Sequence, residues 1–212
     1  SLGFTQEGFV TTLANDIQDC CVDTYAHNHP ETPRDHIILG NIKDVVNELD
    51  EVLDGRSADI VIGGPPCQGF SMANRQRLID DPRNHLYKSY VEAVKKVQPK
   101  FFVMENVRGI LTAKVENQLI FPQILKDLQN PSEITGSEAC PSYKIYSLVE
   151  KTEEGDNSTT PDKLNYLIKS EEFGIPQARH RVILLGVRED IEHIPDILDK
   201  NIYPKVSVKE AI

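Results

Sequence analysis

Apolar positions along this 212-residue chain change their period several times, and each change predicts an element. Asp59 to Gly63, Phe101 to Glu105 and Val182 to Val187 are short runs rich in β-branched and apolar residues, the composition of buried strands. Lys144 to Val149 is a weaker strand candidate, and Val10 to Asn15 is another that competes with a helix over Phe4 to Ala14. Between the first two strong strands, Leu86, Tyr87, Tyr90, Val91, Val94 and Val97 recur three and four residues apart. That spacing lays one apolar face along a helix from Leu86 to Gln98, and Pro99 ends it. A second helix is predicted over Gln118 to Gln129, where Leu119, Ile120, Ile124, Leu125 and Leu128 keep a similar period. Strands alternating with helices predict an α/β fold, a mostly parallel sheet with helices on both faces.

Residues 151–163 are polar and turn-rich, with Glu153-Glu154-Gly155-Asp156-Asn157-Ser158 at their centre, and read as an exposed loop or insertion. No internal repeat is present and nothing marks a boundary between two complete domains, so one large domain is expected. Ser207-Val208-Lys209-Glu210 is a capping box, yet only Ala211 and Ile212 follow it, and the chain opens on Ser1 rather than Met. The expectation is therefore one catalytic region, residues 1–212, incomplete at both ends.

Composition narrows the class. Hydrophobic residues make up 39% and charged residues 26%, which excludes disorder and collagen-like sequence. The net charge of −10 argues against attachment to nucleic acid or membrane by bulk positive charge, while leaving room for a local basic cleft. No apolar run approaches the roughly 18 residues that span a bilayer. Cys20, Cys21, Cys67 and Cys140 form no Cys-x-x-Cys pair and have no zinc-like His spacing, so no metal is expected.

Three segments carry candidate chemistry. Gly63-Gly64-Pro65-Pro66-Cys67-Gln68-Gly69-Phe70-Ser71 follows a predicted strand directly and sets Cys67 on a proline-stiffened loop at a strand's carboxyl end, where parallel sheets bind ligands. An ordinary cysteine is a small buried hydrophobe, and a thiol acting as nucleophile needs a positive or hydrogen-bonding neighbour. Phe101 through Val107 delivers Glu105 and Asn106 at the end of an apolar strand. The apolar approach predicts partial desolvation of Glu105, which favours a protonated carboxyl able to donate; a strand-end Glu facing water is the plainer reading. Gln177-Ala178-Arg179-His180-Arg181 places two guanidiniums at a spacing of two, able to present parallel donors to a carbonyl or phosphate, or else to form a solvated basic turn.

Taken together and in this order, the three segments resemble the cytosine-5 methyltransferases of nucleic acids. Pro65-Pro66-Cys67-Gln68 is similar to that family's nucleophile motif, Glu105-Asn106-Val107 to its acid motif, and Gln177 through Arg181 to its Gln-x-Arg-x-Arg motif. Ser1-Leu2-Gly3-Phe4 through Gly8-Phe9 resembles the helix after the family's glycine-rich cofactor loop. The resemblance implies a Rossmann-like methyltransferase fold that uses S-adenosyl-L-methionine. It further implies a thiolate of Cys67 adding to C6 of a flipped-out cytosine, with Glu105 at N3 and Arg181, beside Arg179, at O2. Gln68, Ser71, Asn106 and Gln177 are the implied substrate contacts. For the cofactor it implies Asp16 at the ribose hydroxyls, Ile17 against adenine, Ile42 and Pro65 nearby, and Asn41 where the family usually has Asp. Asn41 can accept a hydrogen bond through its side-chain carbonyl. No residue is an obvious base for the C5 proton, which leaves water.

Asp80 through Leu86 matches a segment that helps close the active-site loop, although Asn84 equally suits a helix cap. Arg75, Arg77 and Arg83 supply local positive charge for phosphates. The implied partners are double-stranded DNA and a restriction endonuclease system in the same cell, in a bacterial cytoplasm at the nucleoid, without membrane or metal. A polypeptide of these 212 residues alone is expected to be inactive, since the cofactor loop and target recognition region of the family lie outside them. A runner-up keeps the chemistry but acts on a transfer RNA cytosine, and two other classes compete: a non-catalytic subunit that retains the fold and needs a partner chain, and a cysteine hydrolase pairing Cys67 with a histidine such as His85 or His180.

Overall fold

The computed structural model describes residues 1–66, 86–115, 117–135, 140–151 and 163–211. Its first helix, α1 (Leu2–Gln6), is far shorter than the predicted Phe4 to Ala14. Gly8 adopts φ +85°, a left-handed conformation cheap only for glycine, and it breaks the helix there. The Gly8 amide donates to the Thr5 carbonyl and the Phe9 amide to the Phe4 carbonyl, while the Phe4 and Phe9 rings meet edge-on at 5.4 Å. This is a Schellman stop with its apolar contact, so the Phe residues that suggested a continuing helix instead close it. The chain then enters β1 (Ala14–Asp16), at the end of the run that competed with the helix.

Helix α2 (Asp19–Asn28) leads to β2 (Ile37–Leu39), parallel to β1 with Ala14 opposite Ile37 and Asp16 opposite Leu39. Neither was predicted: α2 buries only Val22, and β2 has three residues, so neither displays enough periods to read. Helices α3 (Ile42–Asn47) and α4 (Leu49–Leu53) follow, and α3 packs against both β1 and a later helix.

The central sheet begins with β3 (Ile60–Gly63), joined through α5 (Leu86–Val97) to β4 (Phe101–Val107), which lies parallel to β3. This is the predicted βαβ unit. Tyr87, Tyr90, Val91 and Val94 form the buried stripe of α5, and Gln98 at φ +48° followed by Pro99 ends the helix. Tyr90 fixes the helix to the sheet: its hydroxyl lies 3.2 Å from the Val61 carbonyl and 3.0 Å from that of Val103. A Cβ on Gly63 would come within 2.7 Å of the Tyr90 ring, so glycine there is a packing requirement. Burial pushes the Tyr90 phenol well above its ordinary range.

Beyond β4 come the short hairpin β5 (Lys114–Val115) and β6 (Gln118–Leu119), then α6 (Ile120–Gln129), α7 (Ser132–Thr135) and β7 (Tyr143–Tyr146). The predicted helix over Gln118 to Gln129 thus gives its first two residues to a strand. Tyr87 of α5 donates to the buried Asp127 of α6 at 3.0 Å, tying the two helices together. Burial and this carboxylate raise the Tyr87 phenol above its ordinary range. Strands β8 (Leu167–Lys169) and β9 (His180–Arg188) complete the sheet, and α8 (Val208–Ala211) follows the Ser207 to Glu210 capping interaction.

The five-stranded sheet has the order β3-β4-β9-β7, with β8 also paired to β9. Strand β9 is antiparallel to β4, β7 and β8, so those three strands and β3 share one direction and β9 alone opposes them. Strands β1 and β2 form a separate parallel pair. The outer edges of β1 and β3 have no strand partner among the described residues. The core gathers Phe102, Met104, Ile124, Leu128, Ile145 and Leu184, each burial contributing about 1.5–3 kcal/mol. The insertion predicted over residues 151–163 falls almost wholly outside the described residues.

Gly186 of β9 faces the Phe102 ring so closely that a Cβ there would stand 2.1 Å from a ring carbon. Gly186→Ala is therefore expected to lower stability by about 1–3 kcal/mol through overpacking, measured as a fall in the urea midpoint at unchanged slope.

Candidate active site

The sheet assembles the candidate site at one rim because β3 and β4 end there while β9, running the other way, begins there. Glu105 lies opposite Ile183 and Val107 opposite Arg181, so Glu105 and Arg181 are diagonal neighbours on one face of the sheet. Arg181 Nε donates to Glu105 Oε1 at 2.7 Å. A second donor of the same guanidinium, Nη1, reaches the His180 carbonyl at 2.8 Å. The guanidinium is thereby held at two points, with its side chain 24% exposed and that of Glu105 42% exposed.

That exposure corrects the expected desolvation of Glu105. Strand alternation sends Phe102, Met104 and Asn106 to the buried face, and Glu105 to the other. The apolar run before Glu105 therefore buries its neighbour rather than the acid itself. What surrounds the carboxylate is a guanidinium.

Asn106 takes the opposite face and a different task. Its side-chain Nδ2 donates to the Pro65 carbonyl at 3.0 Å, and its Oδ1 accepts from the Val107 amide at 2.9 Å. Being only 5% exposed, it is a buried amide whose hydrogen bonds fasten the loop after β3 to the end of β4. Gly64 lies equally close: a Cβ there would be 3.2 Å from Glu105 Oε2. The chain thus runs past the Glu105 carboxylate at Gly64, is pinned at Pro65 and leads through Pro66 into Cys67. Cys67, Gln68 and Ser71, like Arg75, Arg77, Arg83, Asn84, His85 and the Asp80 to His85 segment, lie outside the described residues.

Before β9 the backbone folds tightly. The Gln177 amide donates to the Ile175 carbonyl and the Arg179 amide to that of Gln177, each at 2.8 Å. Gln177 and Arg179 are exposed, whereas Arg181 is within the strand. The Arg179 carbonyl accepts both the amide and the hydroxyl of Ser170. Glu171 Oε1 pairs with His180 Nε2 at 2.7 Å, which holds the Glu171 carboxyl below its usual range. Glu172 is held low by Lys200 and Lys169.

The other group of candidates sits on the β1–β2 pair. Asp16, exposed at the end of β1, uses Oδ1 to accept the Gln18 amide at 2.9 Å. Ile17 beside it is 63% exposed, and Leu39 at the end of β2 is 53% exposed, an apolar surface next to a carboxylate. Asn41 caps α3, with its Oδ1 accepting the Lys43 amide at 3.0 Å. The oxygen expected to receive a cofactor donor already accepts this helix amide and keeps a second lone pair for another donor. Ile42 opens α3. Carboxylate, exposed isoleucine and amide at the carboxyl ends of parallel strands suit the diol and flat apolar face of an adenosine.

The sequence profile of C-5 cytosine-specific DNA methylase matches residues 1–132. The chain belongs to that family. Among its relatives, Type II methyltransferase M1.HphI of Haemophilus parahaemolyticus is 35% identical over 195 residues, covering 89% of this chain and 43% of the relative. Type II methyltransferase M.AquIA of Picosynechococcus is 30% identical over 230 residues, covering all of this chain and 82% of the relative. The chain spans under half the length of M1.HphI and of M.BspRI, the Lysinibacillus sphaericus relative. A DNA modification methyltransferase encoded within an E. coli prophage superposes with a TM-score of 0.67 at 26% identity, over 100% of this chain and 50% of its own. Spodoptera frugiperda DNMT2 shares the fold at a TM-score of 0.55 and 20% identity, over 92% and 48% of the two chains. For the C-5 methylase family member described here, the methyltransferase-type α/β fold is thus shown.

Sequence reading missed the Asn106 to Pro65 fastening and the Glu171 to His180 pair, and it expected Asn106 to touch substrate; the signal that could have found its burial is strand alternation, which groups Asn106 with Phe102 and Met104. Removing the Asn106 amide strands the Pro65 carbonyl. Asn106→Ala is expected to cost about 1–3 kcal/mol in urea unfolding, and Asn106→Asp to cost at least as much, because a carboxylate facing that carbonyl repels it.

Proposed function

We propose that this chain carries the catalytic centre of a DNA cytosine-5 methyltransferase. The observation that supports this most is the meeting of three segments at one rim: the Glu105 to Arg181 ion pair and the Asn106 bond to Pro65 bring acid, guanidinium and the approach to Cys67 together. The family's printed description names DNA, and the relatives include Type II methyltransferases.

Each residue addresses a different atom of the base. Cytosine C5 is a poor nucleophile until electron density is pushed into the ring. The Cys67 thiolate does so by forming a bond to C6; Glu105, acting as the proton-bearing acid that donates to N3, and Arg181, donating to O2, stabilise the negative charge that develops on the ring. The Arg181 guanidinium has five donors, of which Nε and one Nη1 donor are committed to Glu105 and His180, leaving donors for a carbonyl. A preset guanidinium is worth more than a mobile one because its orientation costs nothing at the moment of reaction. The Asn106 bond likewise pins Pro65 beside the end of β4. A stacked base exposes neither C6 nor its faces, so the target must leave the helix.

S-adenosylmethionine, when bound, supplies the methyl group. Asp16 would hold its ribose hydroxyls, Ile17 would lie against the adenine, and Asn41 would accept a donor at the adenine edge through the remaining lone pair of its side-chain oxygen. After transfer, release of Cys67 needs loss of the C5 proton, for which water is the proposed acceptor. Partnership with a restriction endonuclease, as for Type II systems, is the corresponding biological proposal.

The test uses the protein carrying this chain and duplex DNA containing 5-fluorocytosine, whose C5 cannot lose a proton after methyl transfer. A denaturation-stable adduct dependent on S-adenosylmethionine is expected, absent in Cys67→Ser and formed on the order of 10²-fold more slowly in Glu105→Gln. No adduct with the unaltered protein, or an undiminished one with Cys67→Ser, overturns the proposal.

A further inference from the structure

Arg181 reaches Glu105 on one face of β9, and the adjacent residue, His180, necessarily projects to the other face. There it meets Glu171, which lies in the turn directly after β8, at 2.7 Å. The two strands are in register with Ile168 opposite Arg181 and Lys169 opposite His180. Consequently the turn after β8 grips the start of β9 from behind at the residue next to Arg181. Two more bonds from the same turn, Ser170 amide and hydroxyl to the Arg179 carbonyl, grip the residue before His180. The other oxygen of Glu171 is buried and has no hydrogen-bond partner among the described residues, so the carboxylate is positioned by its His180 side.

We propose that Glu171 and His180 are a positioning pair for Arg181, fixing the rotation of the first residues of β9 so that the guanidinium points at Glu105. A strand with its first side chains free on both faces can twist about its axis, and a twist at residue 180 displaces the side chain at 181. The Arg181 contact to the His180 carbonyl passes through the same peptide unit, so the guanidinium and the imidazole are coupled by two backbone atoms. His180 faces away from Glu105 and is held by Glu171, which disfavours it as the histidine of the cysteine hydrolase reading; the other candidate, His85, lies outside the described residues. Glu172, next in sequence, binds Lys169 and Lys200 instead and does not touch His180, so it serves as a control within the same turn.

This inference rests on the proposed role of Arg181 for its catalytic consequence but not for its geometry, and the experiment separates them. The protein carrying this chain, labelled with 15N-arginine, gives an Arg181 Nε–H resonance assigned by its loss in Arg181→Lys. In Glu171→Ala and His180→Ala the hydrogen exchange of this group is expected to rise about tenfold or more, while Glu171→Gln, which keeps an acceptor for the imidazole, and Glu172→Ala stay near the unaltered rate. Methyl transfer should follow: kcat falls in the two alanine variants with the KM for S-adenosylmethionine unchanged. Unchanged Arg181 exchange in Glu171→Ala, or an equal rise in Glu172→Ala, overturns the positioning role whatever the activity. Altered exchange in a protein that transfers no methyl group sustains the pair and defeats only the catalytic reading.

Discussion

A guanidinium bridging the start of one strand and the end of another organises this molecule's candidate chemistry. The Arg181 to Glu105 ion pair is partly solvated, and pairs of that kind contribute about 1 kcal/mol or less to stability. Its value lies in aim. Because β9 runs against β4, the beginning of one strand and the end of the other fall at the same rim, and a two-residue diagonal suffices to bring a cation and an acid from opposite directions into contact. An all-parallel sheet would have put the arginine at the far end.

Around that contact the structure assigns the two faces of β4 to separate work. The buried face packs Phe102 and Met104 into the core and ends in Asn106, which holds the Pro65 loop. The opposite face ends in Glu105, beside the backbone of Gly64. A shift of register by one residue would exchange the two, burying the carboxylate and exposing the amide. The Phe102 ring against Gly186 and the Tyr90 ring against Gly63 resist such a shift, since each aromatic fits only where a neighbouring strand has no side chain. Core packing therefore sets the aim of the site as much as any hydrogen bond within it.

Much of this arrangement could be read from residues alone. The stripe on α5 stood out because it repeats its period several times, and β3, β4 and β9 because they are runs of β-branched and apolar residues; two of the three motifs pointed to Glu105 and Arg181, which meet at 2.7 Å, while Cys67 lies outside the described residues. Short elements escaped: β2 and β8 have three residues each, and α2 buries a single side chain, so local pattern carries too few repeats to show them. The end of α1 was misjudged because Phe9, counted as a helical residue, belongs to the Schellman stop that Gly8 permits. The environment of Glu105 was misjudged because an apolar run was read as surrounding its last residue, when alternation assigns that burial to the residues on either side. Asn106 and Glu171 owe their importance to partners 41 and nine residues away, a relation no local window contains.

The most direct measurement of the central claim is a double-mutant cycle on single-turnover methyl transfer, made with Glu105→Gln, Arg181→Ala and the combination in the protein that carries this chain. If acid and guanidinium act as one preset unit, the double variant should be barely slower than the worse single variant, leaving a coupling energy of about 1 kcal/mol or more. Losses that simply add would show two independent groups and contradict the account.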